Sequence, residues 1–407
     1  MNSILNVIFT RQNYLQQLRV LTAVLCCTWL NLSACGQEKI PLLKASSEKA
    51  FIADGPNVKL AWRLDPKEKP DRYYVNIPGR KSSVVFHTNE SSIRIRTRPG
   101  MVYQLQVLLG QDTCHIEIAS VLPPNLPKFS HWPGVAIIPI EIRDSKVFFS
   151  GNVNQKPVRV QFDLGAGTGV VNRNASERLG LSFSSHKIVS NTSGLNRERT
   201  SLDNHLAIGG LSWDGVSLTE VGNMKDYEDL IIGNGFFRDQ IIGLDYDTQQ
   251  FMIYPSLPQD IGTYTKVPVY YEQDRPKFKA RISQGGKHFD FWFLFDTGRD
   301  GTMLLGEDFT GVGGHWQQLE ALTVVNGRKI VRLDAHIAGL TFRDIVTNAA
   351  DPARPGGRPS LFGNQLLSHF NVILDNRNGF LYLKPNSQQD NPYYNYERFL
   401  QDQPKKD

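Results

Sequence analysis

The sequence is poor in cysteine, in long apolar runs and in clustered charge of one sign, and each shortage removes a class of protein. Only four cysteines occur in 407 residues, and Cys26, Cys27 and Cys35 fall in the first 35. Past that point Cys114 stands alone, so the later chain can build neither an intramolecular disulfide nor a thiol–metal cluster. The nine histidines are scattered without metal-ligand spacing, so no metal or other cofactor is called for. A net charge of +5 is small for this length, and no basic stripe interleaves with aromatics, which argues against a nucleic-acid partner. After residue 35 no stretch is long and apolar enough to span a bilayer. Gly165, Gly167 and Gly169 do not have the spacing of a nucleotide loop, and no βαβ pattern surrounds them. What remains is an ordinary globular composition, 40% hydrophobic and 21% charged, in a chain long enough for two or three domains.

The apolar run that does occur lies at the N-terminus. Arg11 and Arg19 precede Val20 to Leu32, and Leu32-Ser33-Ala34-Cys35 closes the run. It is too short for a stable membrane helix and has the layout of a secretory signal. The small residues before Cys35 resemble the lipobox of bacterial lipoproteins. That resemblance implies a signal peptide over 1–35, with Cys35 diacylated and serving as the membrane anchor. The plainer alternative is a signal peptide cut nearby, with Cys35 incidental. Gly36, rather than aspartate, after the cysteine resembles sorting to an outer membrane. The expected location is therefore the cell envelope, on the periplasmic or the surface face.

Residues 36–50 read as a polar tether. From 51 to 121 the pattern is β: Ile93 and Ile95, then Tyr103, Leu105 and Val107, share one face, with Pro99-Gly100 as the turn. A small β-sandwich-like module is expected there, faintly like a fibronectin type III domain, and Leu122 to Phe129 reads as a linker.

Beyond the linker the chain repeats itself. Asp163 and Asp296 stand 133 residues apart, Gly210 and Gly339 129, and Gly233 and Gly363 130; Asp245 and Asp375 are again 130 apart. Four landmarks in one order at nearly constant offset indicate a duplicated lobe, since the period is too long for a solenoid. The expected lobes are 130–262 and 263–386, followed by a C-terminal tail over 387–407. In each, a hairpin leads to the aspartate, with turns at Asn154-Gln155-Lys156 and Gly285-Gly286. A buried strand then precedes Gly233 or Gly363, and a short helix follows. Asp245 and Asp375 read as strand-end turn residues.

Asp163-Leu164-Gly165-Ala166 and Asp296-Thr297-Gly298-Arg299 each follow apolar residues, with an apolar-apolar-glycine segment some 65–70 residues later. This pattern resembles aspartic peptidases of the retropepsin and pepsin type, over about Ile137 to Lys384. The resemblance implies a mainly all-β fold: two retropepsin-like β-barrel lobes in tandem, monomeric, with an intramolecular pseudo-twofold. It also implies that Asp163 and Asp296 form a catalytic pair. One buried carboxylate is only a base, whereas two at about 3 Å share a proton and supply both acid and base. Gly165 and Gly298 would leave room for substrate backbone. Thr297 would hydrogen-bond across the lobe interface, and Leu164 lacks the hydroxyl to return that bond. Arg299 stands where a small residue is usual; it would depress the carboxyl pKa values, bind a substrate carboxylate or pair with Asp300. Flap candidates are the Asn326-Gly327 hairpin and the segment around Gly194; the bland reading of each is a surface hairpin.

Three functions follow from these readings. The first is a lipid-anchored aspartic endopeptidase acting on peptide or protein substrates. The second is an inactive fold of that type, binding peptides or envelope proteins in the interlobe groove. The third is a scaffold lipoprotein whose N-terminal module does the binding, with Asp163 and Asp296 retained only as turn residues.

Overall fold

The computed structural model describes residues 40–56, 58–124, 126–130, 134–191, 194–354 and 356–403. The signal peptide and Cys35 lie outside the described residues, as does the start of the tether. The tether reading is corrected at Leu42–Ala45, which forms a strand parallel to Val102–Leu109. Its alternation turns Leu43 and Ala45 into the core while Leu42 and Lys44 face out.

The N-terminal region consists of two four-stranded sheets. One runs Val58–Arg63, Lys49–Asp54, Ser82–His87, Ser92–Thr97; the other runs Leu42–Ala45, Val102–Leu109, Asp112–Ala119, Asp71–Tyr74. Ile52, Val84, Phe86, Leu105, Val107, Cys114 and Ile116 fill the space between them. The strands on either side of Pro99-Gly100 do not pair. Gly100, at φ 78°, instead carries the chain from one sheet to the other. Asn76 ties this region to the rest: its side chain donates to the Tyr271 carbonyl at 2.6 Å and accepts the Tyr271 N–H at 2.8 Å. Arg238 adds a bond to the Asn76 carbonyl at 2.7 Å.

In the remaining chain, two long hairpins set the frame. Lys146–Val153 and Lys156–Phe162 turn at Asn154 and Gln155, whose φ values are 48° and 68°. Arg275–Gln284 and Lys287–Asp296 turn at Gly285 and Gly286, at 55° and 80°. Two successive positive φ values match the right-handed twist of the flanking strands. Later in each half comes a shorter hairpin, Ile241–Asp245 with Gln250–Tyr254, and Phe370–Asp375 with Phe380–Pro385. These two lie side by side, Ile241 opposite Asp375 and Leu244 opposite Val372, so both halves share one sheet.

The two closed β-barrels expected from the sequence are not formed. The nine-stranded sheet runs openly from Glu141–Arg143 to Phe183–Asn191, and the thirteen-stranded sheet from Ala136–Pro139 to Met303–Leu304. In neither do the end strands meet. At the midline Ile241–Asp245 pairs with Phe370–Asp375 of the other half as well as with Gln250–Tyr254 of its own, and inside the nine-stranded sheet Lys146–Val153 makes an additional pairing with Gly194–Ile208. A helix missed by the sequence reading, Arg173–Leu179, starts at an Asn172 cap and ends at Gly180, φ 64°. After Gly233 the chain makes a 3₁₀ turn, Asn234–Phe237, and after Gly363 a single helical turn, Asn364–Leu367. The tail reaches back through Tyr393, whose hydroxyl receives the Arg343 N–H at 2.6 Å, and ends in the helix Tyr396–Gln401.

Candidate active site

Each aspartate stands at the end of the second strand of a long hairpin. Phe162 closes one strand just before Asp163, and Asp296 is the last residue of the other. A short strand lies parallel to each: Leu230–Ile232 beside 160–162, and Leu361–Gly363 beside 294–296. Leu230, Ile232, Leu361 and Phe362 are buried, which is why the two short strands read as apolar runs. A Cβ at Gly233 would overlap the Ala166 carbonyl, and one at Gly363 the Gly301 carbonyl. Both glycines are therefore required by the close approach of the aspartate turns.

The turns themselves correspond. Gly165 N–H donates to Asp163 Oδ1 at 2.7 Å, and Gly298 N–H to Asp296 Oδ1 at 3.0 Å. They also face one another: a Cβ at Gly165 would strike the Asp296 carboxylate, and one at Gly298 the Asp163 carboxylate. The structure thus brings the two aspartate turns together, each glycine set against the carboxylate of the other half. Thr297 is fully buried; its hydroxyl accepts the Leu164 N–H at 2.9 Å and donates to the Phe162 carbonyl at 3.1 Å. Leu164 packs into the apolar core and has no hydroxyl to make the mirror-image bonds.

The two acids differ electrostatically. Burial pushes Asp163 up to about 8, the Asp296 charge adds to the rise, and the Gly165 N–H and the Lys146 charge oppose it. Burial also raises Asp296, but the Arg299 guanidinium is the largest opposing influence, followed by the Gly298 N–H. Both carboxyls are thus raised, and the guanidinium beside Asp296 favours charge there. Lys146 was not anticipated from the sequence; it is held at 2.8 Å by Glu228, with both side chains largely shielded.

A second unanticipated feature is a pair of polar locks beneath the site. Asn234 and Asn376 exchange amide bonds at 2.9 and 3.0 Å, and the Tyr271 hydroxyl adds a third bond at 2.7 Å. In the corresponding place Tyr246 donates to Asn364 at 2.8 Å. The signal was present: Gly-Asn occurs at both 233–234 and 363–364.

The remaining candidates lie elsewhere. Asn326 and Gly327, at φ 51° and 78°, turn a hairpin of Ala321–Val325 and Arg328–Ile337, with Leu322, Val324 and Val325 exposed. Gly194 pairs with Asn191 where Gly194–Ile208 begins, and residues 192–193 are outside the described set. Asp300 accepts the Ser145 hydroxyl at 3.0 Å. Asp245 and Asp375 bind backbone N–H groups of their own turns.

Comparison with known proteins adds a family likeness for part of the chain. Residues 149–236, which hold Asp163 and Gly233, match the family described as aspartyl protease. Among solved structures, the aspartic proteinase from Irpex lacteus is similar at 14% identity and a TM-score of 0.43. That similarity covers 62% of this chain and 98% of that one. No curated protein matches the sequence.

Proposed function

We propose that the protein is an aspartic endopeptidase that hydrolyses peptide bonds with Asp163 and Asp296. The observation that carries this reading is the approach of two half-buried aspartates, each tied to a glycine N–H of its own turn and each facing the glycine of the other. Ionised Asp296 takes a proton from water as that water attacks the scissile carbonyl carbon. Protonated Asp163 hydrogen-bonds the carbonyl oxygen as charge develops on it, and a proton then passes to the departing amine. Gly165 and Gly298 leave the carboxyls open to the substrate, while Thr297 holds the two turns in register. The correspondence of the two halves supports an internal duplication acting as a pseudo-twofold unit.

The test is cleavage of unfolded protein and peptide libraries by purified protein from pH 3 to 8. Asp163→Asn and Asp296→Asn should each abolish turnover, because each removes one half of a two-part catalyst. If neither variant differs from wild type in cleavage, the dyad assignment is wrong. Absence of any cleavage, with both variants more stable than wild type, would favour the second reading, a peptide-binding groove. That reading draws on Leu164, which leaves the cross-half lock one-sided.

We further propose that export and lipidation at Cys35 hold the protein at the envelope surface. Wild-type protein should fractionate with membranes and Cys35→Ser should not, since two or three acyl chains at ~0.8 kcal/mol per buried CH₂ anchor stably. Equal membrane recovery of both would remove this claim.

A further inference from the structure

Resting on the reading of Cys35 as a lipid anchor, we propose that one face of the N-terminal region docks on an anionic phospholipid surface. It is the outer face of the sheet built from Lys49–Asp54, Val58–Arg63, Ser82–His87 and Ser92–Thr97.

The first observation is one-sided charge. Ile52, Val84, Phe86 and Ile95 of these strands lie in the core, so the residues that alternate with them point outward. Directly opposed residues share a face, and the register places Lys49 beside Arg63, Lys59 and Arg94 in one row, and Arg96 beyond them. The one acid in the four strands, Asp54, is turned inward, where it accepts the Tyr73 hydroxyl at 2.9 Å and the Asn76 N–H at 2.6 Å. Arg63 is paired with Glu48 at 2.9 Å, with Asp65 and Asp112 in the groove beyond. Lys49, Lys59, Arg94 and Arg96 are exposed and form no ion pair among the described residues. Arg94 donates to the neutral Ser83 hydroxyl at 3.3 Å. Four cations on this face thus lack a counter-charge.

The second observation is what the cations surround. Phe51 is 43% exposed at the centre of the face, next to Ala61, Ala53 and Val85. An exposed apolar centre with a cationic rim suits a bilayer interface, where the ring enters the acyl boundary and the cations meet phosphates. A nucleic acid fits less well. Phe51 already stacks on His87, their ring centroids 4.2 Å apart and their planes at 14°, and the outward positions of these strands hold no further aromatic ring.

The third observation is the length of chain that precedes the fold. Leu42–Ala45 is held in the neighbouring sheet, and only residues 36–41 separate it from Cys35. Fully extended, that segment reaches about 25 Å. An acylated Cys35 therefore keeps the N-terminal region against the lipid, and the basic face supplies the second attachment that a lipid anchor commonly needs.

The experiment uses the chain from Gly36 to Asp407, which keeps every described residue and carries no acyl group. It is sedimented with vesicles of phosphatidylcholine alone or with about 30% phosphatidylglycerol, at about 0.1 and 0.5 M salt. Wild type should bind the anionic vesicles at low salt, release them at high salt and leave the neutral ones unbound. A cation near such a surface contributes about fivefold to partitioning, so Arg94→Glu with Arg96→Glu should lower binding about 20-fold or more. Lys49→Gln with Lys59→Gln is the milder pair and should also lower it, which keeps the test decisive if thermal unfolding shows the reversal variant to be damaged. Phe51→Ser should weaken binding further.

Lys279→Glu with Arg398→Glu alters net charge equally at exposed positions elsewhere and should leave binding unchanged. An equal loss in that pair would overturn the proposal, because attraction would then follow net charge rather than this face. Absence of binding to anionic vesicles, or equal binding to neutral ones, would also overturn it while leaving the Cys35 anchor to its own fractionation test. Charge-dependent binding by this chain, with Cys35 found unmodified in cells, would keep the face and remove the anchor.

Discussion

Replacing Asp163 by asparagine should stabilise the protein, and by an amount that grows with pH. The carboxyl is pushed from its ordinary value near 3.8 up to about 8 by burial and by the neighbouring Asp296 charge. The folded state therefore holds this proton more tightly than the unfolded chain does. Stability from the group is fully present below about pH 4 and is lost as pH rises to about 8. At about 1.36 kcal/mol per tenfold change in proton affinity, the interval bounds the loss at about 6 kcal/mol. Water entry and relaxation of neighbouring groups reduce such penalties, so the expected gain from the variant is about 2–3 kcal/mol at pH 8. Asparagine keeps an oxygen to accept the Gly165 N–H, so the turn itself is retained. The assay is thermal unfolding of both proteins at half-unit steps from pH 4 to 9. The melting temperatures should coincide near pH 4 and separate by roughly 4–10 °C at pH 8. Parallel curves across the whole range would refute the reasoning, because they would mean that Asp163 titrates alike in folded and unfolded chains.

Thr297→Val should cost about 2–4 kcal/mol, since it removes the bond to Phe162 and strands the buried Leu164 N–H; an unchanged unfolding midpoint in urea would show that the turn re-pairs. Asn376→Leu should cost a similar amount by leaving Asn234 unpaired, whereas adding Asn234→Leu should recover part of the loss. A double variant as unstable as the sum of the singles would contradict a coupled lock. Glu228→Gln should loosen the hold on Lys146, whose charge favours ionised Asp163. The alkaline limb of the activity profile, set by the proposed acid Asp163, should then move while the fold remains intact, and an unmoved profile would remove Lys146 from the electrostatics of the site.

The local instructions in this chain are plain from residue types alone. Asn154-Gln155, Gly285-Gly286 and Asn326-Gly327 stand between alternating or apolar runs, and each becomes a two-residue turn with both φ values positive. Those preferences are set by neighbouring backbone sterics, so no distant contact is needed to read them. The segments 230–232 and 361–363 are likewise legible as buried strands, because strands covered on both faces carry no polar alternation.

Closure of the sheets was not legible. Whether Ile241–Asp245, already in a hairpin with Gln250–Tyr254, also takes Phe370–Asp375 on its other edge depends on which edge is nearer in three dimensions, and the alternation of side chains is the same in both cases. The same limit applies to Leu42–Ala45, too short to stand out until Val102–Leu109 offers it an edge. The site divides in the same way. Sequence supplies two aspartates, each followed two residues later by a glycine and matched by a distant one. The tertiary structure decides that the two aspartate turns face each other across the midline, and that the charge of Arg299 acts on one and that of Lys146 on the other. Charge acts through space and burial rather than along the chain, and neither is defined until the halves have packed.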